Sequence, residues 1–500
     1  MMIKHRGEQN TGRTLGNSFV SRMTILVILT SAVALLSSCS LFEPETRTLS
    51  TGDIPASYSF STMEIDRSER WWEDFGDPEL AGLIEEALSG SFTVKEAWAR
   101  LRQVQATAVK AGAARYPDLF ISAGASTALK RTGSGSSANT ATVKDYSLGI
   151  ASSYEIDLWG GVSAQAEAVR RESNATREDV RTAATSVAAE VTETWIGIIT
   201  QQTILCFLQD QLRTNETYLE LIDLRYRKSM ASALDVFQQK QAVEKVAAQI
   251  PLVEEKESLL RHKLALLLGK QPTAVLPISR TNLPELNEPP VTGLPVDLLS
   301  TRPDIRAARL RLEAADWYVS AARADRLPTI SLSASASFGA ADLDLLFDNW
   351  IMKLAANLLG PIVDGGKRAA EVDRTRAVVE EKLSAYRRTV LTAVKEVEDA
   401  LVSEAKARQY IDTLTTRIET ARKARDEARR RYMKGLEDYL PVLNQLLTLQ
   451  ELEIARVRKH GELMSTRVTL YRALGGTWTD QLTPDGMKRK TGEQKGALDQ

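Results

Sequence analysis

Five hundred residues allow two to four domains by length alone. With 64 basic and 65 acidic side chains the net charge is −1, which removes any electrostatic case for nucleic acid as a partner. After residue 39 no uninterrupted apolar stretch approaches the ~18–20 residues of a spanning helix. That excludes membrane helices in the mature chain but not a membrane barrel, whose short alternating strands carry a much weaker hydropathy signal.

The N-terminus has the layout of a secretory signal peptide over residues 1–38: Lys4, Arg6, Arg13 and Arg22 precede the apolar run MTILVILTSAVALL. Met23 offers an alternative start within it. The leader ends in Leu36-Ser37-Ser38-Cys39, which resembles the lipobox of bacterial lipoproteins. The resemblance implies that Cys39 is lipidated and becomes the first mature residue. Ser40 follows it, where an aspartate would argue for inner-membrane retention, so the anchor points to the outer membrane. Residues 39–70 then read as an extended segment carrying the lipid. The second cysteine, Cys206, lies in TILCFLQ inside a predicted helix and reads as a small buried apolar residue. An exported chain with that one remaining cysteine does not rely on disulfides.

From residue 71 the chain is a tandem duplication, with repeats over 71–275 and 276–478. RYRKSMASALDVFQQ (225–239) matches RYMKGLEDYLPVLNQ (431–445) at an offset of 206, pairing Tyr226 with Tyr432 and Ser229 with Gly435. An offset of 211 carries RYPDLFIS (115–122) onto RLPTISLS (326–333), so small insertions fall in the strand region.

Each repeat begins with helix, over about 78–114 and about 295–325, broken at SGS (89–91) and STRPD (300–304). Pro303 is placed to open a second helix, and Pro117 and Pro328 to end one. Alternating strands follow. YSLGIASSYEIDLW (146–159) sets Tyr146, Leu148, Ile150, Tyr154, Ile156 and Leu158 on one face, pairing with about 118–130 across a Gly/Ser-rich loop. The second repeat offers 328–338 and about 349–363, with Trp350, Met352, Leu354 and Leu358 on one face. After WGG (159–161) and DGG (364–366) come proline-free segments at about 162–226 and 367–432. Ala184, Val187, Val191, Thr194 and Ile198 fall at 3,4 spacing, as do Val390, Val394, Val397 and Leu401, which is a coiled-coil seam. Helices of some 65 residues are about 100 Å long. Each turns into a return helix that closes near Gly269 or Gly475. The tail, 479–500, is polar and expected to be disordered.

Four strands cannot close in lipid, because edge N–H and C=O groups would lack partners at several kcal/mol each. Two chains would give eight strands, filled by side chains, and three would give twelve, wide enough for a lumen. The expected assembly is a barrel continued by a helical tube and shared among identical chains.

At this point the chain resembles a known family: the TolC-like outer membrane factors of tripartite efflux systems, in their lipoprotein (NodT-like) branch. The features that carry the resemblance are WWEDFGDPEL (71–80), LLSTRPDIRAAR (298–309), the strand-to-DGGKR junction (364–368) and the turn motifs at 226–229 and 432–435. It implies a mainly α fold with a membrane β part: a homotrimer with a twelve-stranded outer-membrane barrel and a periplasmic helical coiled-coil barrel. It also implies a periplasmic adaptor and an inner-membrane RND-type pump as partners, outer-membrane lipid around the barrel, and efflux of drugs or other small molecules. Leu440 and Asn444 match the family's constricting rings at the periplasmic entrance, although many relatives have an acidic residue where this chain has Asn444. Asp235 and Tyr432 match members of the polar network that holds the entrance shut. Glu437 and Asp438 lie in the same turn, where they either supply six negative charges per trimer or cap the returning helix. Ser232 and Asp235 have capping-box spacing.

A passive conduit needs no catalytic group, cofactor or metal, and no HExxH, P-loop or G-x-S-x-G is present. His262 and His460 read as ordinary helix-surface residues. A type I secretion outlet would use the same fold. A lipid-anchored coiled-coil adaptor would explain the helices but not the strands.

Overall fold

Prolines and capping side chains set most element boundaries. The computed structural model describes residues 42–44, 55–59, 70–133, 139–286, 288, 290 and 292–487. The leader, Cys39, most of the segment after it and residues 488–500 lie outside these. Helix α1 (Pro78–Gly90) opens on a proline and is capped by Asp77, whose carboxylate accepts from the Glu79 and Leu80 amides. Helix α2 (Phe92–Ala113) leads to strands β1 (Asp118–Thr132) and β2 (Asn139–Ile156). The 67-residue α3 (Gly161–Arg227) and its return α4 (Ala233–Leu267) complete the first copy.

The second copy repeats the order: α5 (Leu298–Thr301), α6 (Pro303–Ala324), β3 (Thr329–Ala340), β4 (Trp350–Leu359), the 67-residue α7 (Lys367–Met433) and α8 (Tyr439–Leu474). Both boundaries of α7 lie 206 residues after those of α3, and both boundaries of α6 lie 211 after those of α2. The duplication read from short motifs is therefore reproduced in whole elements.

The chain forms two compact units, the first of which gathers Ala108–Val169 and Glu313–Val379. Its sheet runs β1-β2-β3-β4, antiparallel throughout, with β2 beside β3 joining the two copies. The register carries one face across all four strands: Ile121 opposes Ile150, which opposes Ala336, which opposes Met352. In the next row Ala123, Leu148, Phe338 and Trp350 align. The opposite face carries Ser122, Gly149 and Ser337, and Glu155, Ser331 and Asn357, interrupted by Phe120 and Ile351. The apolar face is open, with Ile121 77% and Leu354 84% exposed. Apolar on one side and mostly small or polar on the other is the pattern of a membrane barrel wall. No described helix is long and apolar enough to cross a membrane.

Each strand-to-helix junction is fixed by one aspartate. Asp157 accepts from the amides of Val162 and Ser163 at 3.0 and 2.7 Å. Asp364 accepts from those of Gly366 and Arg368 at 3.0 and 3.2 Å. The Trp159 indole donates to the Pro328 carbonyl at 2.6 Å.

The second unit is built around the long-helix seams, from Arg170–Leu312, the chain after Glu380 and the helices before Thr107. Ala184, Val187, Val191, Thr194 and Ile198 are all buried, as are Val390, Val394, Val397 and Leu401. Trp71, Trp72 and Phe75 of the WWEDF motif pack into the first core, Trp72 edge-on to Trp478 with centroids 5.0 Å apart. In the TRPD motif Arg302 donates to Asp304, to Glu396 at 2.7 Å and to the Ala473 carbonyl at 3.0 Å.

Two expectations are corrected. Cys206 is exposed, because the buried face of α3 passes through Ile204, Leu208, Gln211 and Asn215 and leaves it on the other side. The tail is not disordered from 479: β5 (Leu482–Thr483) pairs with β6 (Gly486–Met487), Thr479 is buried and Asp480 pairs with Arg181 at 3.0 Å. Leu482 packs against the core that holds Trp478, which composition alone does not reveal.

Candidate functional site

Both turns between a long helix and its return close in the same way. The Met230 amide donates to the Arg225 carbonyl at 2.8 Å and Ser229 to Tyr226 at 2.8 Å. In the second copy Leu436 donates to Arg431 and Gly435 to Tyr432, each at 3.0 Å. This is the Schellman closure, which needs a left-handed residue at its corner. Gly435 supplies it with φ 70°, and Ser229, its repeat partner, adopts φ 59° at some steric cost.

The helices that leave the turns are capped differently. Ser232 and Asp235 form a reciprocal capping box: the Ser232 hydroxyl accepts from the Asp235 amide at 3.1 Å, and the Asp235 carboxylate from the Ser232 amide at 2.8 Å. Asp438 stands at the N-cap of α8 but makes no side-chain cap bond. Glu437 does not cap either; it pairs with Arg431 at 3.3 Å.

Above the turns the two hairpins meet in an apolar cluster of Ile222, Ala242, Tyr432, Tyr439, Val442 and Leu443. The rings of Tyr432 and Tyr439 lie 5.5 Å apart, and the Arg225 guanidinium sits over Tyr432 at 4.4 Å. Burial pushes the Tyr432 hydroxyl above the usual phenol range; Asp235 adds to this and Arg225 opposes it. Burial likewise raises Tyr439. Both phenols are therefore neutral at physiological pH.

Leu440 and Asn444 sit one helical turn apart on the open face of α8, Leu440 at 44% exposure, while Tyr439, Val442, Leu443 and Leu446 anchor the other face. Of the residues singled out in sequence, Asp235 lies close enough to Tyr432 for its charge to raise the phenol, but the Asp235 carboxylate bonds within its own capping box. Glu437 does not join them, because Arg431 draws its carboxylate away. Arg225 and Tyr439 were missed. The repeat held the signal for the first: Arg225 and Arg431 occupy matching positions, each one residue before a tyrosine, yet they take different partners. His262 and His460 lie on exposed faces, and no described group of three or more acidic, His or Cys residues is arranged to hold a metal.

Comparison with known proteins decides what this arrangement belongs to. The model of the family described as "Outer membrane efflux protein" matches residues 83–270 and 294–476. The chain belongs to the outer membrane efflux protein family. It is 35% identical over 427 residues to the pyoverdine export outer membrane protein OpmQ of Pseudomonas aeruginosa, covering 84% of this chain and 90% of that one. It is 29% identical to the solvent efflux pump outer membrane protein SrpC of Pseudomonas putida, over 81% and 87% of the two chains. The solved outer-membrane channel OprN is similar across 88% of this chain and all of its own, with TM-score 0.80 at 27% identity. The efflux protein thus has the TolC-like fold, a helical coiled-coil part with a β part, and is an outer-membrane channel of tripartite efflux systems.

The left-handed corners of this channel give a stability test. Ser229→Gly removes a steric cost and is expected to stabilise by up to about 1 kcal/mol, whereas Gly435→Val costs about 1–2 kcal/mol. Thermal melting of the purified variants reads both, and equal effects in the same direction would contradict the assignment.

Proposed function

We propose that the channel works as a homotrimer in which three four-stranded sheets make a twelve-stranded barrel through the outer membrane and the long helices line a periplasmic tunnel. The observation that carries this is the register, which keeps one continuous apolar face over four strands yet leaves β1 and β4 with an open edge each. Lipid offers no partner for those edges. Three chains of four strands close the sheet with room for a lumen.

Drugs or other small molecules pass through it, delivered by an RND-type inner-membrane pump through a periplasmic adaptor. Relatives of comparable identity are named for cargoes as different as pyoverdine and solvents, which favours a conduit whose selectivity lies upstream. Threefold symmetry turns Leu440 into an apolar ring and Asn444 into a neutral polar one. Asp438 adds three carboxylates at the same level, while Arg431 offsets the charge of Glu437. Contacts among Arg225, Asp235, Tyr432 and the Leu440 ring hold the tip closed, and the adaptor opens it by binding the open arrangement more tightly. A lipid on Cys39 anchors each chain.

Single-channel conductance in planar bilayers tests the gate: Leu440→Ser, and Arg225→Gln, which removes the cation over the Tyr432 ring, should each raise it in isolated trimers, and no change in either removes the proposal. Intact-mass measurement tests the anchor. Mature protein should begin at Cys39 and carry added acyl mass that Cys39→Ala lacks; a wild-type chain without that mass would show that Cys39 is not lipidated.

A further inference from the structure

Among the buried polar side chains of the helical unit, five are linked to one another. Gln211 and Asn215 of α3, Gln239 of α4, and Tyr439 and Gln450 of α8 are between 0% and 6% exposed. They form one connected chain. The Tyr439 hydroxyl donates to the Gln239 side-chain carbonyl at 2.6 Å. The Gln239 amide group donates to the Asn215 backbone carbonyl at 2.7 Å. The Asn215 amide group donates to the Gln450 side-chain carbonyl at 3.3 Å, and Gln211 donates to the Gln450 backbone carbonyl at 3.1 Å.

Such a network adds little when every member is paired and costs much when one is stranded. It therefore specifies a single placement of α8 against α3 and α4, since a slip of one turn, about 5.4 Å, would orphan several buried groups at once. Its two ends differ. Gln450 is held twice, through its side chain and its backbone. Tyr439 is held through its hydroxyl at the first residue of α8, where the Asp438 side chain provides no cap. Leu440 is the next residue. Eleven residues of helix, about 16 Å, separate the two ends.

We propose that Tyr439, Gln239 and Asn215 are positioning residues of the gate: the Tyr439–Gln239 bond is a latch that keeps the start of α8, and with it Leu440, in the closed place, while the Gln211–Asn215–Gln450 end is the pivot that persists on opening. The inference rests on the reading of Leu440 as a constriction. A burial-raised phenol suits the latch, because it stays a neutral donor across the physiological pH range.

The test uses purified full-length trimers in planar bilayers, with Leu440→Ser run beside each variant. Tyr439→Phe removes the hydroxyl alone and should raise the mean conductance of resting trimers about tenfold, the expected consequence of one orphaned buried acceptor in the closed state. Gln239→Met breaks the same bond from the other side and should do the same. Gln450→Leu loosens the same network at the pivot and should lower the melting temperature without raising conductance. If Leu440→Ser opens the channel and Tyr439→Phe and Gln239→Met do not, the latch is wrong and the gate stands. If none of the three opens it, gate and latch fall together. Equal opening by Tyr439→Phe and Gln450→Leu would mean general loosening and would also overturn the latch.

Discussion

The unpaired edges of a four-stranded sheet govern the rest of this protein. Every backbone N–H and C=O in a bilayer needs a partner, and β1 and β4 each have one side without one. Water would tolerate those edges, but a surface as apolar as the one formed by Leu119, Ile121, Trp350, Met352 and Leu354 does not face water in isolation. Edge and face together ask for lipid on one side and further strands at both ends. In the proposed assembly identical copies meet that demand, and three of them leave a lumen.

Symmetry then decides what the helical part can do. In the proposed trimer a residue on the open face of α8 becomes a ring, so that Leu440 and Asn444 would each act in threes. The proposed gate draws on a contrast within the internal duplication. Both turns close with the same backbone bonds, yet the first is locked by the Ser232–Asp235 box and the second lacks a side-chain cap. The second hairpin depends on tertiary contacts: Arg225 stacked on Tyr432, and Tyr439 bonded into the buried amide chain. In the proposed gate that end, held by a few breakable contacts, is the one that moves.

Much of the fold was legible because its signals are local. Strand alternation gave the face that the register later joined across four strands, and 3,4 spacing gave the two seams whose residues are all buried. The offset of 206 paired Ser229 with Gly435, which share a left-handed corner that serine rarely adopts. Other features depend on which neighbour arrives. Periodicity marked Cys206 as helical but not as facing outward, and Glu437 looked like a cap until Arg431 reached it. The amide chain had no sequence signature, since Gln211, Asn215, Gln239 and Gln450 are each ordinary residues for a solvated helix face. Only packing α3, α4 and α8 together buries them.

The central claim is that the sheet closes by borrowing edges from two further copies. Native mass spectrometry of the mature protein released from detergent micelles tests it most directly. A dominant species at three times the protomer mass is the predicted result. A monomer that keeps its sheet in detergent, or a stable dimer, would contradict it.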